Sequence, residues 1–180
     1  MLEEIIIAGF GGQGVMLAGQ LLVRACMLED LEVSWIPSYG PEMRGGTANC
    51  SVVISDEAIG SPVGSEPSTV LAMNLPSVEK YLPLVKKGGL FIYNSTLVET
   101  IPQREDLEIV AVGANQVADE LGNARAANMV MLGAFLAKRP LVGPTRIMES
   151  LGAILPPHRQ NLLPLNEKAL IRGTELASSL

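Results

Sequence analysis

The chain has 180 residues, 48% of them apolar and only 18% charged, with a formal net charge of −6. That length supports a hydrophobic core, and the apolar fraction excludes intrinsic disorder. The acidic balance, with no local basic cluster, excludes nucleic acid as a ligand, because phosphate backbones are bound through Lys and Arg. The longest nearly uncharged stretch, 126–137, is too short to span a bilayer, and Glu3 and Glu4 stand where a signal peptide would be basic. The expectation is one cytoplasmic domain over residues 1–180 that engages no membrane.

The first element is a β-branched run at 5–8, which ends in Gly9-Phe10-Gly11-Gly12-Gln13-Gly14 and leads into an apolar helical stretch at 15–28. This order predicts a strand, a tight turn and a helix. Glycines leave the turn free to take positive φ and to lie against a ligand. The helix start aims unpaired N–H groups at the same place, which suits an anion. Gly9, Gly11 and Gly14 also fit the G-x-G-x-x-G dinucleotide fingerprint. The plainer alternative is a turn that only packs the helix onto a sheet.

A second strand is predicted at 32–36. A nicotinamide-binding fold needs an acid at the end of this strand for the ribose hydroxyls. Glu32 lies at the wrong end, and the chain continues instead into Ser38-Tyr39-Gly40-Pro41-Glu42-Met43-Arg44-Gly45-Gly46. In this loop Arg44 could grip a carboxylate or phosphate with two parallel hydrogen bonds. Alternatively it pairs with Glu42 and only shapes the loop. Tyr39, Glu42 and Arg44 are expected at the C-terminal edge of the sheet, beside the glycine turn.

Further strands are predicted at 48–54, 69–73, 90–93 and 108–112, with helices at 76–85, 115–121, 124–138, 145–155 and 165–176. Such alternation predicts an α/β, three-layer, Rossmann-like fold: a mostly parallel sheet with helices on both faces. The loop before the third strand is short for a parallel crossover, so that strand is expected to run antiparallel and make the sheet mixed. The helix at 124–138 is apolar on nearly every face, so it should be buried all round. Either another chain covers its outer side, which favours a homodimer of the isolated chain, or its own C-terminal region does.

Cys26 falls in a predicted helix and Cys50 in a predicted strand. They form no CxxC pair, read as buried thiols and cannot alone hold an iron–sulfur cluster. His158 follows Pro156-Pro157 with no second metal-type ligand nearby, so neither zinc nor a Ser/His/Asp triad is supported.

Taken together, G-F-G-G-Q-G at 9–14, P-S-Y-G-P-E-M-R-G-G-T-A-N-C-S-V at 37–52, A-M-N at 72–74 and G-G-L-F-I-Y-N-S at 88–95 are more specific than any one of them. This combination resembles the gamma subunit of the 2-oxoacid:ferredoxin oxidoreductases, the pyruvate/ketoisovalerate gamma-type domain, essentially end to end. The form of the loop looks more like the 2-oxoglutarate and branched-chain enzymes than the pyruvate enzyme. The resemblance implies partners, namely alpha, beta and ferredoxin-like delta subunits, with ferredoxin reached through the complex. It implies that thiamine diphosphate, Mg and iron–sulfur clusters belong to those partners, and that CoA is a co-substrate of the complex. It also implies that this chain carries no catalytic or metal-binding residue and is inactive alone. Its ligand candidates are Gly9, Gly11, Gly12, Gln13, Gly14, Ser38, Tyr39, Gly40, Glu42 and Arg44. The alternative is a stand-alone dinucleotide-binding oxidoreductase, and a third reading is a scaffold whose glycine loops bind nothing.

Overall fold

The computed structural model describes residues 1–40, 47–62 and 66–179. Six strands form one sheet: β1 (Leu2–Phe10), β2 (Glu32–Tyr39), β3 (Thr47–Ser55), β4 (Thr69–Ala72), β5 (Leu90–Asn94) and β6 (Glu108–Val112). Their order is β2-β3-β1-β4-β5-β6. β1, β4, β5 and β6 run parallel, and β3 runs antiparallel to both β1 and β2. The sheet is therefore mixed, for the expected reason. The connection from β2 to β3 is a hairpin, closed by the Gly40 N–H donating to the Thr47 carbonyl at 2.9 Å.

β2 runs further than its apolar pattern suggests, through Pro37 and Ser38 to Tyr39. An edge strand tolerates this. Pro37 lacks a donor, but β2 has only one neighbour to satisfy. Ser38 and Tyr39 thus belong to a strand end rather than to a loop.

Strand alternation sends side chains to two faces of different thickness. On one face Ile5, Ile7, Cys50, Val52, Ile54, Leu71, Leu90 and Ile92 join a large core with α1 (Val15–Met27), α3 (Ala114–Glu120), α4 (Ala127–Lys138), α5 (Pro144–Ile154) and α6 (Leu163–Ser178). On the other, Ala8, Val70, Ala72, Phe91 and Tyr93 meet Val78, Tyr81 and Val85 from α2 (Leu75–Tyr81) and the turn after it.

Helix α4 decides the question its composition raised. All ten residues from Ala127 to Leu136 are buried within this one chain. The sheet lies under α4 and α6 lies over it. Two glycines allow the approach. A Cβ at Gly133 would stand 2.0 Å from the Leu170 carbonyl oxygen, and one at Gly173 would stand 1.9 Å from that of Val130. The expectation that a second chain covers α4 is therefore corrected. Its own C-terminal helix does so, and α4 supplies no argument for a homodimer.

Candidate functional site

The pairing register brings the sequence candidates to one edge of the sheet. Gly9 pairs with Ala48, which pairs with Tyr39; Ala8 pairs with Asn49, which pairs with Ser38. Ser38 and Tyr39 therefore stand two strand spacings from β1, about 10 Å away. They share the C-terminal edge with the glycine turn without touching it. This is the edge outside which open α/β sheets bind ligands. Tyr39 is 62% exposed, and Gly40 anchors the hairpin. Glu42 and Arg44 lie outside the described residues.

The glycine turn is built by close approach and positive φ. A Cβ at Gly9 would come within 2.9 Å of Met73 Cβ and 2.6 Å of Gln13 Oε1. Gly9 thus lets the turn close against the end of β4. The Gln13 N–H donates to the Phe10 carbonyl at 3.1 Å, with Gly12 at φ 97° inside that turn. Gly14 is the N-cap of α1 at φ 76°, and no side chain caps the helix there. A Cβ on Gly14 would strike Asn128, whose Nδ2 donates to the Gly14 carbonyl at 3.1 Å. Gly12 is exposed and Gly11 half-buried. The start of α1 thus carries no side-chain cap and lies next to the exposed Gly12, which suits an anionic group.

Gln13 plays a different part from the one its position suggests. Its Oε1 accepts from the Phe10 N–H at 2.7 Å and from Asn74 Nδ2 at 3.0 Å, and its Nε2 donates to the Met73 carbonyl at 3.4 Å. The side chain is turned into the protein, with Oε1 accepting twice and one Nε2 bond recorded. Four asparagines that the sequence does not mark as site residues complete the arrangement. Asn74 caps α2 by accepting from the Ser77 N–H at 2.9 Å. Asn94 accepts from the Ala114 N–H at 3.2 Å and donates to the Met73 carbonyl at 3.3 Å and to Asn115 Oδ1 at 2.7 Å. Asn128 holds Gly14, as above. The order Asn74-Leu75-Pro76 is a readable capping signal. The roles of Asn94, Asn115 and Asn128 depend on partners about 20 or more residues away and left no local trace.

Other chemistries find less support at this edge. Glu32, the nearest acid to a ribose-binding role, starts β2 and so lies a full eight-residue strand from Tyr39, roughly 24 Å. Among the described residues no three His, Cys, Asp or Glu side chains gather as a metal site. His158 is exposed, in a turn before α6. Burial pushes the Cys26 thiol up to about 12, with a smaller push from Glu29. Burial also pushes Cys50 up to about 11, with smaller lowering influences from the nearby Trp35 side chain and Ile7 backbone. Both are inert thiols at neutral pH, and two cysteines are too few to ligate an iron–sulfur cluster. No helix among the described residues is long and apolar enough to cross a membrane.

Known proteins match this architecture. The chain is 35% identical to the 2-oxoglutarate synthase subunit KorC of Methanocaldococcus jannaschii, over 100% of this chain and 96% of that protein. It is 44% identical to the ketoisovalerate oxidoreductase subunit VorA of Methanothermobacter marburgensis over 74% of its own residues, and the match spans only 28% of VorA. Among solved structures, the gamma subunit of a keto/oxoacid ferredoxin oxidoreductase from Geobacter sulfurreducens superposes with a TM-score of 0.84 at 29% identity, covering 99% of both chains. A 2-oxoglutarate:ferredoxin oxidoreductase from Magnetococcus marinus, solved with 2-oxoglutarate, coenzyme A and succinyl-CoA bound, superposes with a TM-score of 0.91 at 26% identity, over 99% of this chain and 31% of that one. Residues 4–176, nearly the whole sheet and every helix that packs on it, match the pyruvate ferredoxin/flavodoxin oxidoreductase family, and the chain belongs to that family.

Proposed function

We propose that this chain is one gamma-type domain acting as a subunit of a cytoplasmic 2-oxoacid:ferredoxin oxidoreductase. The complex would convert 2-oxoglutarate, or a related 2-oxoacid, into its acyl-CoA. The observation that carries the reading is the end-to-end correspondence with a 2-oxoglutarate synthase subunit. Thiamine diphosphate, Mg and the iron–sulfur clusters would reside in alpha, beta and delta partners, which pass electrons to ferredoxin.

The part left to this chain is binding. The uncapped start of α1 at Gly11–Gly14 fits a phosphate group, and CoA is the phosphate-bearing substrate of this reaction class. Backbone N–H groups and the helix dipole would hold it there without any charged side chain. Ser38, Tyr39, Gly40, Glu42 and Arg44 would form the second wall of the same edge. The test is co-expression with the thiamine-type partner chains, followed by 2-oxoacid- and CoA-dependent dye reduction. The isolated chain is expected to be inactive, and Gly12→Val is expected to raise the KM for CoA in the complex. A lone chain that reduces a dye with a nicotinamide cofactor would overturn the reading.

A further inference from the structure

The side chains behind the glycine turn form a continuous relay of amides. Backbone groups fix the sense of each one. The Phe10 N–H must meet an acceptor, so Gln13 turns Oε1 towards it at 2.7 Å. The Ser77 N–H claims Asn74 Oδ1 at 2.9 Å, which leaves Asn74 Nδ2 to face Gln13 Oε1 at 3.0 Å. The Ala114 N–H claims Asn94 Oδ1, which leaves Asn94 Nδ2 for the Met73 carbonyl and Asn115. The Met73 carbonyl, at the end of β4, receives both Gln13 Nε2 and Asn94 Nδ2. Donors and acceptors alternate without a mismatch from the start of α3, past β5 and β4, to the turn before α1. Asn74 and Asn94 are almost wholly buried, at 3% and 0% exposure.

We infer that this relay, with Asn74 as the positioning residue at its Gln13 end, holds the Gln13 side chain turned inward, so that an anionic ligand meets the backbone N–H groups of the glycine turn and not the Gln13 amide. The inference rests on the ligand role proposed above. A plain cap at Asn74 would need only its Oδ1. The relay needs its Nδ2 as well, and the two needs can be separated by substitution.

Asn74→Asp keeps the cap, since aspartate caps helices as well as asparagine does. It cannot donate to Gln13 Oε1, and it sets a carboxylate oxygen against that atom. Gln13 must then rotate to offer Nε2, which abandons the Phe10 N–H and loosens the turn. Measured in the complex with its partner chains, the KM for CoA is expected to rise about five- to tenfold, the size of one lost hydrogen bond. The kcat and the KM for the 2-oxoacid should stay within about twofold, the pattern of lost ground-state binding. Asn74→Ser, which keeps a capping oxygen and adds no charge, is the second variant and should shift KM in the same direction. A lowered Tm with an unchanged KM for CoA in both variants would make Asn74 purely structural and overturn the inference. Gly12→Ala separates the two layers. If it raises the KM for CoA while the Asn74 variants do not, the relay fails and the site stands. If none of the three moves KM, both fail.

Discussion

Gly12 and Gly173 stand at opposite extremes of packing. Among the described residues, a Cβ at Gly12 would meet nothing within 4 Å, whereas at Gly173 it would lie 1.9 Å from the Val130 carbonyl oxygen. Gly12 is there for its φ of 97°, which few residues adopt. Gly173 sits inside a regular helix and is there for its missing side chain. The glycine turn is open and shaped for contact; the α4–α6 crossing is closed and shaped for exclusion. The same residue type marks an open turn in one place and a helix seam in another. Space around it, not composition, separates the two.

Substitutions should pull these regions apart. The largest effect is expected at the seam. Gly173→Ala must push two helix backbones apart, because the clash is with a carbonyl rather than with a flexible side chain. We expect a loss of about 3 kcal/mol or more, read as a fall in Tm or in the denaturation midpoint, with no specific change in the KM for CoA in whatever complex survives. Near-wild-type stability would show that α4 and α6 are not held this closely.

Gly12→Ala should do the reverse. The added methyl has room, so only the strained φ is felt, at about 1 kcal/mol. Turnover at low CoA concentration should fall by more than the stability loss explains. A stability loss as large as that of Gly173→Ala would mean that the turn is packed, not open, and would remove the contrast.

The smallest effect concerns the seam between α1 and the sheet. A Cβ at Gly19 would meet Cys50 Sγ at 2.6 Å and Trp35 Nε1 at 2.8 Å, so α1 lies tightly on β3 and β2 there. The buried thiol has its pKa pushed to about 11 from an ordinary 9.0. Because the folded-state value is the higher one, its contribution to stability is full below pH 9 and fades as pH rises towards 11. At neutral pH a thiol reagent should label Cys50 very slowly in the folded chain and rapidly in denaturant. Fast labelling of the folded chain would show that this part of the α1 seam opens readily.

Much of the fold was legible. The β-branched runs marked all six strands, and the short loop read at 37–46 marked β3 as antiparallel, because a hairpin needs few residues and a parallel crossover needs many. The Gly9–Gly14 turn was legible as a turn, since its glycines are contiguous with the strand and helix that they join. The site was legible only in part. The Gln13 amide faces inward onto Asn74 and Met73, a contact that its place among the glycines does not announce.

What the sequence by itself determined is the local periodicity: where strands and helices lie, where the chain must turn, and which helix must be buried on every side. What only the tertiary structure decided is which surface does the burying and which amides meet. Helix α4 announced its need for cover, but a one-dimensional pattern carries no information about the partner. That partner proved to be α6, through two glycines 40 residues apart in sequence, Gly133 and Gly173, each seated against the other helix's backbone. The asparagine relay is the same case in polar form. A buried amide demands a partner, but the partner's identity is set by strands packed side by side, and that proximity exists only once the sheet has formed.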